Sequence, residues 1–133
     1  MIRAVADTHA LIWYLFDDRR LSRRAKLLID DASEKGEQIG FSAISIIEII
    51  YLIEKGKINP ETLTRLLEET VAEDAALIEI PVTGQIADRM TLVSRESLPD
   101  MPDRIIAATA LTLNIPVISR DGRIKVSTLE TIW

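Results

Sequence analysis

Ile2-Arg3-Ala4-Val5-Ala6-Asp7-Thr8-His9-Ala10-Leu11-Ile12-Trp13-Tyr14-Leu15-Phe16 decides the architecture. Ile2 to Ala6 reads as a short buried strand and Thr8 to Phe16 as a helix that Asp17-Asp18 ends, with Asp7 alone between them. A strand feeding directly into a helix is the building unit of an α/β fold. The alternation continues downstream. Leu21 to Ser33 predicts a second helix, with Ala25, Leu28, Ile29 and Ala32 at helical spacing and Gly36 as its stop. Gln38 to Phe41 predicts a strand, and Ser42 or Ala43 opens a helix that ends near Lys55-Gly56. Asn59-Pro60 supplies an N-cap and a first-turn proline for a helix to about Ala72. Ala76 to Pro81 is an apolar run of strand length, and Thr83 begins a helix reaching about Arg95. Pro99-Asp100-Met101-Pro102-Asp103 leads into a helix over Arg104 to Leu113, which Asn114 stops. Ile115 to Ser119 is a strand, Asp121-Gly122 a turn, and Val126 to Trp133 an added edge strand. The expected fold is α/β, a central and mostly parallel sheet flanked by helices. No repeat or linker interrupts it, so residues 1–133 are expected to form a single domain.

Against this frame Glu48 is anomalous. It stands inside the apolar run Ala43-Ile44-Ser45-Ile46-Ile47-Glu48-Ile49-Ile50-Tyr51-Leu52-Ile53. On a helix its neighbours are Ile44, Tyr51 and Leu52, which puts the acid on an apolar, buried or half-buried face. A buried carboxylate without a partner is costly, so a solvated glutamate is the weaker reading and a nearby cation the stronger one.

Three further acids fall where chain ends meet helices. Asp7 ends the first strand, and Asp121 follows the late strand Val117-Ile118. Asp103 lies in the first turn of the helix that feeds that strand. In open α/β sheets ligands bind outside the carboxyl ends of the strands, and these acids converge there if the two strands are parallel neighbours. Singly, each has a plain structural role. Asp7 before Thr8 caps a helix, Asp100 and Asp103 have capping-box-like spacing, and Asp121-Gly122 is an ordinary turn dipeptide. Spacing alone does not assemble them into one site. Gathered together, three or four carboxylates would suit one or two hard divalent cations. Such ions lower the pKa of a water and neutralise charge on a leaving oxygen. Without them, close carboxylates repel and one protonates.

Composition narrows the classes. Apolar residues make up 47 % and charged residues 28 %, a globular balance rather than a disordered one. The absence of cysteine excludes disulfides, zinc–thiolate sites and thiol nucleophiles, and suits a cytoplasmic protein. The start does not read as a signal peptide, and no run approaches the ~20 apolar residues of a membrane span, so a soluble protein with no membrane partner is expected. A net charge of −5 argues against simple electrostatic nucleic-acid binding, but not against a metal-dependent nuclease, whose cations invert the field of an acidic pocket.

Four segments in order resemble the PIN domain, a metal-dependent ribonuclease fold, and within it the VapC-type toxins of toxin–antitoxin pairs. They are Ala6 to Leu15, Ser42 to Ile49 around Glu48, Asp100 to Ala110, and Val117 to Asp121. The resemblance spans nearly the whole chain. It implies a PIN-like parallel sheet with Asp7, Glu48, Asp103 and Asp121 as catalytic, metal-holding acids. It also implies Mg²⁺ or Mn²⁺ as cofactor, RNA as substrate, a VapB-like antitoxin as partner, and homodimerisation through the first helices or those from Glu48 to Glu73. Asp100 falls where a supporting or alternative ligand would stand, and Ser119 where the family often has a Ser or Thr.

Other residues carry competing roles. His9, the only histidine, reads as a partly exposed helix residue rather than a base. Trp13, Tyr14 and Phe16 suit the core or a partner surface better than base stacking, and Trp133 suits the sheet edge. Arg104, Arg120 and Arg123 lie beside the acids as candidate RNA-phosphate contacts, with Arg104 equally suited to pair with Asp100. Arg19, Arg20, Arg23 and Arg24 form a basic cluster whose plain reading is a solvated face. The function expected is therefore a metal-dependent endoribonuclease acting as a toxin. The alternatives are a PIN-fold RNA-processing nuclease without antitoxin and a non-catalytic interaction module. A neighbouring small reading frame with an AbrB-like or ribbon-helix-helix start would favour the toxin.

Overall fold

The computed structural model describes residues 1–124 and 129–133. In chain order the elements are β1 (Ile2–Ala6), α1 (Thr8–Leu15), α2 (Arg23–Glu34), β2 (Gln38–Ser42), α3 (Ala43–Glu54), α4 (Thr62–Val71) and β3 (Leu77–Ile80). There follow α5 (Gly84–Arg89), a 3₁₀ turn (Met90–Leu92), α6 (Met101–Leu113), β4 (Val117–Ile118) and β5 (Thr131–Ile132). Among the described residues the sheet has five strands in the order β3-β2-β1-β4-β5. Every pairing is parallel, so the expected α/β fold with helices on both faces is the one formed. Among the described residues no helix is long and apolar enough to cross a membrane.

Alternation along the strands builds two cores. Ala4 and Ala6 of β1, Ile39 and Phe41 of β2 and Ile118 of β4 face one side, packed with Leu11, Ile29, Ile49 and Leu66. Val5 and Val117 face the other, packed with Ile86, Ile105, Ile106 and Ala107. The period of two is that of a strand, and apolar residues at every position reflect a parallel sheet covered on both faces. Gly40 lies on the second face, close against β3 and β1. A Cβ there would collide with Ile80 Cδ1 and come within 3.1 Å of Ile2 Cγ2. Gly40→Ala is expected to lower stability by about 1 kcal/mol, the low end for overpacking because a side-chain tip yields more readily than backbone. A chemical-denaturation midpoint equal to that of the parent would contradict this.

The structure shifts several predicted boundaries. Ser22 caps α2 through Ala25 N, so the helix begins at Arg23 rather than Leu21. Gly36 (φ +71°) ends it as expected. Asn59-Pro60 forms a turn rather than a cap. Asn59 Oδ1 accepts from Glu61 N, its carbonyl accepts from Thr62 N, and α4 starts at Thr62. Thr83 caps α5, but the helix stops at Arg89 and continues only as the 3₁₀ turn. Buried Val93 and Leu98 tie down the segment beyond. Asp100 caps α6 by accepting from Asp103 N, so that helix begins at Met101, earlier than Arg104. β4 is short because Pro116 has no amide to donate; only its carbonyl is used, by Val5 N. Of the predicted last strand, residues 126–128 lie outside the described residues, and the strand present is Thr131–Ile132.

The winding places the ligand crevice. From β1 the chain moves to β2 and β3 on one side, then returns to place β4 and β5 on the other. Val5 pairs with Val117 and Ala6 with Ile118. Their carboxyl ends flank the point where strand order reverses, the usual ligand position in such sheets.

Candidate active site

Asp7, Glu48, Asp103 and Asp121 line one cavity of about 370 Å³ at this reversal point, with Thr8, His9, Trp13, Asp100, Arg120 and Arg123 around them. The acids come from the junction of β1 with α1, from α3, from α6 and from the loop after β4.

Asp7 is fixed from three sides. Its amide donates to Ile118 O (3.0 Å), which ties it to β4. Its Oδ1 accepts from Ala10 N (2.8 Å), so it caps α1, and its Oδ2 accepts from Ser119 Oγ (2.5 Å). Only 7 % of the residue is exposed. Burial pushes its carboxyl up, against the pull of the Ser119 hydroxyl and the Ala10 amide. Ser119 is fully buried and accepts in turn from Asp121 N (2.9 Å), so one hydroxyl links Asp7 to the loop that carries Asp121.

Glu48 is half-buried on α3. Thr8 Oγ1 donates to its Oε1 (2.5 Å), and the Thr8 and buried Ser45 hydroxyls lie 2.8 Å apart. Burial raises its pKa, Thr8 counters, and repulsion from Asp100 and Asp7 adds to the rise. Asp103 shows the crowding most clearly. Burial first, then repulsion from Asp100, Asp121, Glu48 and Asp7, pushes its carboxyl up to about 7. Asp121 is the opposite case: the Arg123 guanidinium holds its carboxyl low. Arg123 Nη2 stands 3.0 Å from Asp121 Oδ2 and 3.7 Å from Asp103 Oδ2. The turn role of Asp121 also exists, since its Oδ1 accepts from Arg123 N (2.9 Å). For Asp7, Asp100 and Asp121 the plain structural roles and the cavity-lining position thus coincide.

The flanking arginines separate. Arg104 is turned away, correcting its expected place beside the acids. Its Nη2 donates to the Met90 and Val93 carbonyls at 2.9 and 3.2 Å. It follows Asp103 by one residue, about 100° around the helix, and so points to the 3₁₀ turn. Arg120 lines the cavity with its guanidinium 4.9 Å from the Trp13 ring centroid. Of the Arg19–Arg24 cluster, Arg20 clasps Asp18 at 2.8 and 3.1 Å and lies 5.2 Å from the same Trp13 ring. Trp133 meets Trp13 edge-on at 5.7 Å. His9 is exposed at the rim, 5.8 Å from Trp13.

Sequence reasoning missed Thr8 and Ser45. Ser45 precedes Glu48 by three residues, hence on the same helix face, and Thr8 directly follows the strand-end acid. Those two spacings were the available signal.

Among the described residues no three acids are gathered tightly enough to form a ready-made ligand cluster. Carboxylates around an open cavity, with Asp103 raised by burial and then by its neighbours, nonetheless match a hard cation that keeps much of its own water. The donor set is all oxygen, which suits Mg²⁺ or Mn²⁺ and not a thiolate-seeking metal.

A parallel α/β sheet with acids at its point of strand reversal defines the class. The PIN domain profile matches residues 4–127, and the chain belongs to the PIN domain family. PIN domains are nucleases and generally use divalent metal ions. Similar solved structures include VapBC2 from Rickettsia felis bound to a DNA fragment from their promoter, at 17 % identity and TM-score 0.72, covering 98 % of this chain and 97 % of that one. A toxin–antitoxin complex from Klebsiella pneumoniae matches at 24 % identity and TM-score 0.66, covering 98 % and 96 %. FitAB bound to an IR36 DNA fragment matches at 18 % identity and TM-score 0.66, covering 98 % and 93 %. These likenesses are of fold. No curated protein matches the chain significantly.

Proposed function

We propose that the chain is a metal-dependent endoribonuclease that hydrolyses RNA phosphodiester bonds and serves as the toxin of a toxin–antitoxin pair in the cytoplasm. Residues 1–133 act as a single PIN-like domain. One observation carries the reading: four carboxylates from four separate segments line one cavity at the carboxyl ends of β1 and β4. Membership of a nuclease family supports it, and toxin–antitoxin complexes of the same fold support the antitoxin partner.

In this reading Asp7, Glu48, Asp103 and Asp121 would hold Mg²⁺ or Mn²⁺, with Asp100 as a supporting acid at the rim. The ion supplies activation of a water and neutralisation of charge on the leaving oxygen. The chain supplies orientation. Ser119 and the Ala10 amide aim the two oxygens of Asp7, and Thr8, braced by Ser45, aims Glu48. Asp103 bears the repulsion of its neighbours and is therefore the group most relieved by a cation. The exposed apolar side chains Ile47, Ile50 and Tyr51 of α3 and Leu67 and Val71 of α4 support these helices as the homodimer or antitoxin surface.

The test is a labelled RNA panel incubated with the full chain in Mn²⁺, Mg²⁺ or EDTA. Cleavage is expected with either ion and none in EDTA. Cleavage undiminished in EDTA would end the metal mechanism, and intact RNA throughout would end the nuclease reading.

A further inference from the structure

Of the three arginines near the acids, two are already engaged. Arg104 is bound to two carbonyls and Arg123 is paired with Asp121 and Asp103. Arg120 differs: among the described residues its guanidinium has no hydrogen bond or ion pair, is exposed, and lines the cavity. It is held in place nonetheless, 4.9 Å over the Trp13 ring. Trp13 is itself fixed, 6 % exposed, with Trp133 edge-on and Arg20 also over the ring. A buried indole offers no open face to a base, in keeping with the core role expected of it in preference to base stacking. It serves instead as a platform that limits the freedom of one cation.

We propose that Arg120, braced on Trp13, binds a backbone phosphate of the RNA next to the one that is cut. This rests on the nuclease reading above and adds to it the residue that docks the strand. An acid-lined cavity repels a polyanion. Cations held by the carboxylates relieve that repulsion at the cleavage point, and of the two arginines among the described residues lining the cavity, Arg120 is the one left to anchor the adjoining nucleotide. A guanidinium presents planar paired donors that match phosphate oxygens. A residue already stacked loses less freedom on binding than a solvated lysine would. Arg120 directly follows Ser119, the hydroxyl that links Asp7 to the Asp121 loop. The docking cation and the acid framework are thus built on adjacent residues.

The experiment measures binding of a short fluorescein-labelled single-stranded RNA by anisotropy across a salt series, in Mg²⁺. The full chain carries Asp7→Asn to prevent turnover. Adding Arg120→Ala is expected to weaken binding about tenfold at low salt. It should reduce the slope of log K against log salt by about 0.7, the value for one phosphate contact on a single strand. Arg120→Lys should keep the slope, because it keeps the charge. Lys35→Ala, at the C-cap of α2 just before β2 and on the opposite rim of the sheet, should change neither quantity. An Arg120→Ala slope equal to that of the parent overturns the proposal, including when affinity falls, because a merely structural loss releases no counterion. If the parent binds no RNA at any salt, the nuclease reading itself falls. That outcome is distinct, because it appears before Arg120 is altered.

Discussion

An Asp7→Asn variant is expected to lose RNA cleavage by about a thousandfold or more while remaining folded. The loss corresponds to about 4 kcal/mol of transition-state stabilisation, the scale of removing charge that positions a catalytic ion. Folding survives because the capping role does. Asn caps helices as well as Asp, and its carbonyl can still accept from Ala10 N as Asp7 Oδ1 does at 2.8 Å. The substitution also removes a carboxylate that burial already disfavours in its charged form. Single-turnover cleavage and a thermal unfolding curve on the same preparation separate the two effects. Residual activity within tenfold of the parent would remove Asp7 from the mechanism. Loss of cooperative unfolding would mean that its structural role dominates.

The second large effect concerns stability without metal. Asp103 keeps its proton up to about pH 7 in the folded chain, whereas an unfolded aspartate releases it near ~4. Between those values the folded state binds the extra proton, so stability falls as pH rises through the window. Burial pushes Asp7 and Glu48 in the same direction. On the acid side the order reverses. Asp18, Asp31, Glu37 and Asp121 are held low by cationic partners, and their contribution is lost as pH drops below ~4. In EDTA the melting temperature is therefore expected to be highest at roughly pH 4–5 and to decline toward pH 8. Mn²⁺ at about a hundredfold excess over its Kd should restore roughly 5–10 °C at pH 8, and much less at pH 5, where protons compete with the metal. A melting temperature that rises from pH 5 to pH 8 in EDTA would show that burial and crowding do not hold the proton on Asp103.

Much of this was legible in the chain. The strand–acid–helix pattern from Ile2 to Phe16 gave β1 and α1 almost to the residue, because the period-two and helical patterns meet at one capping acid. A mostly parallel sheet followed from the alternation of elements, but which strands are neighbours did not; the pairing of β1 with β4, on which convergence of the acids depends, is visible only in the fold. Boundaries failed where a side chain chose between two backbone groups. Asn59 closed a turn instead of capping a helix, and Asp100 opened α6 a turn earlier than expected. Of the hydroxyls beneath the acids, Ser119 was marked out by the family resemblance, whereas Thr8 and Ser45 were not foreseen. The contacts they make come only from the fold, which brings Thr8 to Glu48 and Ser119 to Asp7 across long separations. The three arginines near the acids looked alike, and only the direction of each side chain tells them apart.

Asp7, Asp100 and Asp121 each also hold a piece of backbone in place, whereas Glu48 sits mid-helix and caps nothing. On the proposed function, a descendant that gave up cutting RNA would still be under pressure to retain the first three for foldability, but would be free to lose Glu48. When kindred sequences are sorted into working enzymes and relics, an aspartate at those three positions is therefore weak testimony, and the glutamate is the telling witness.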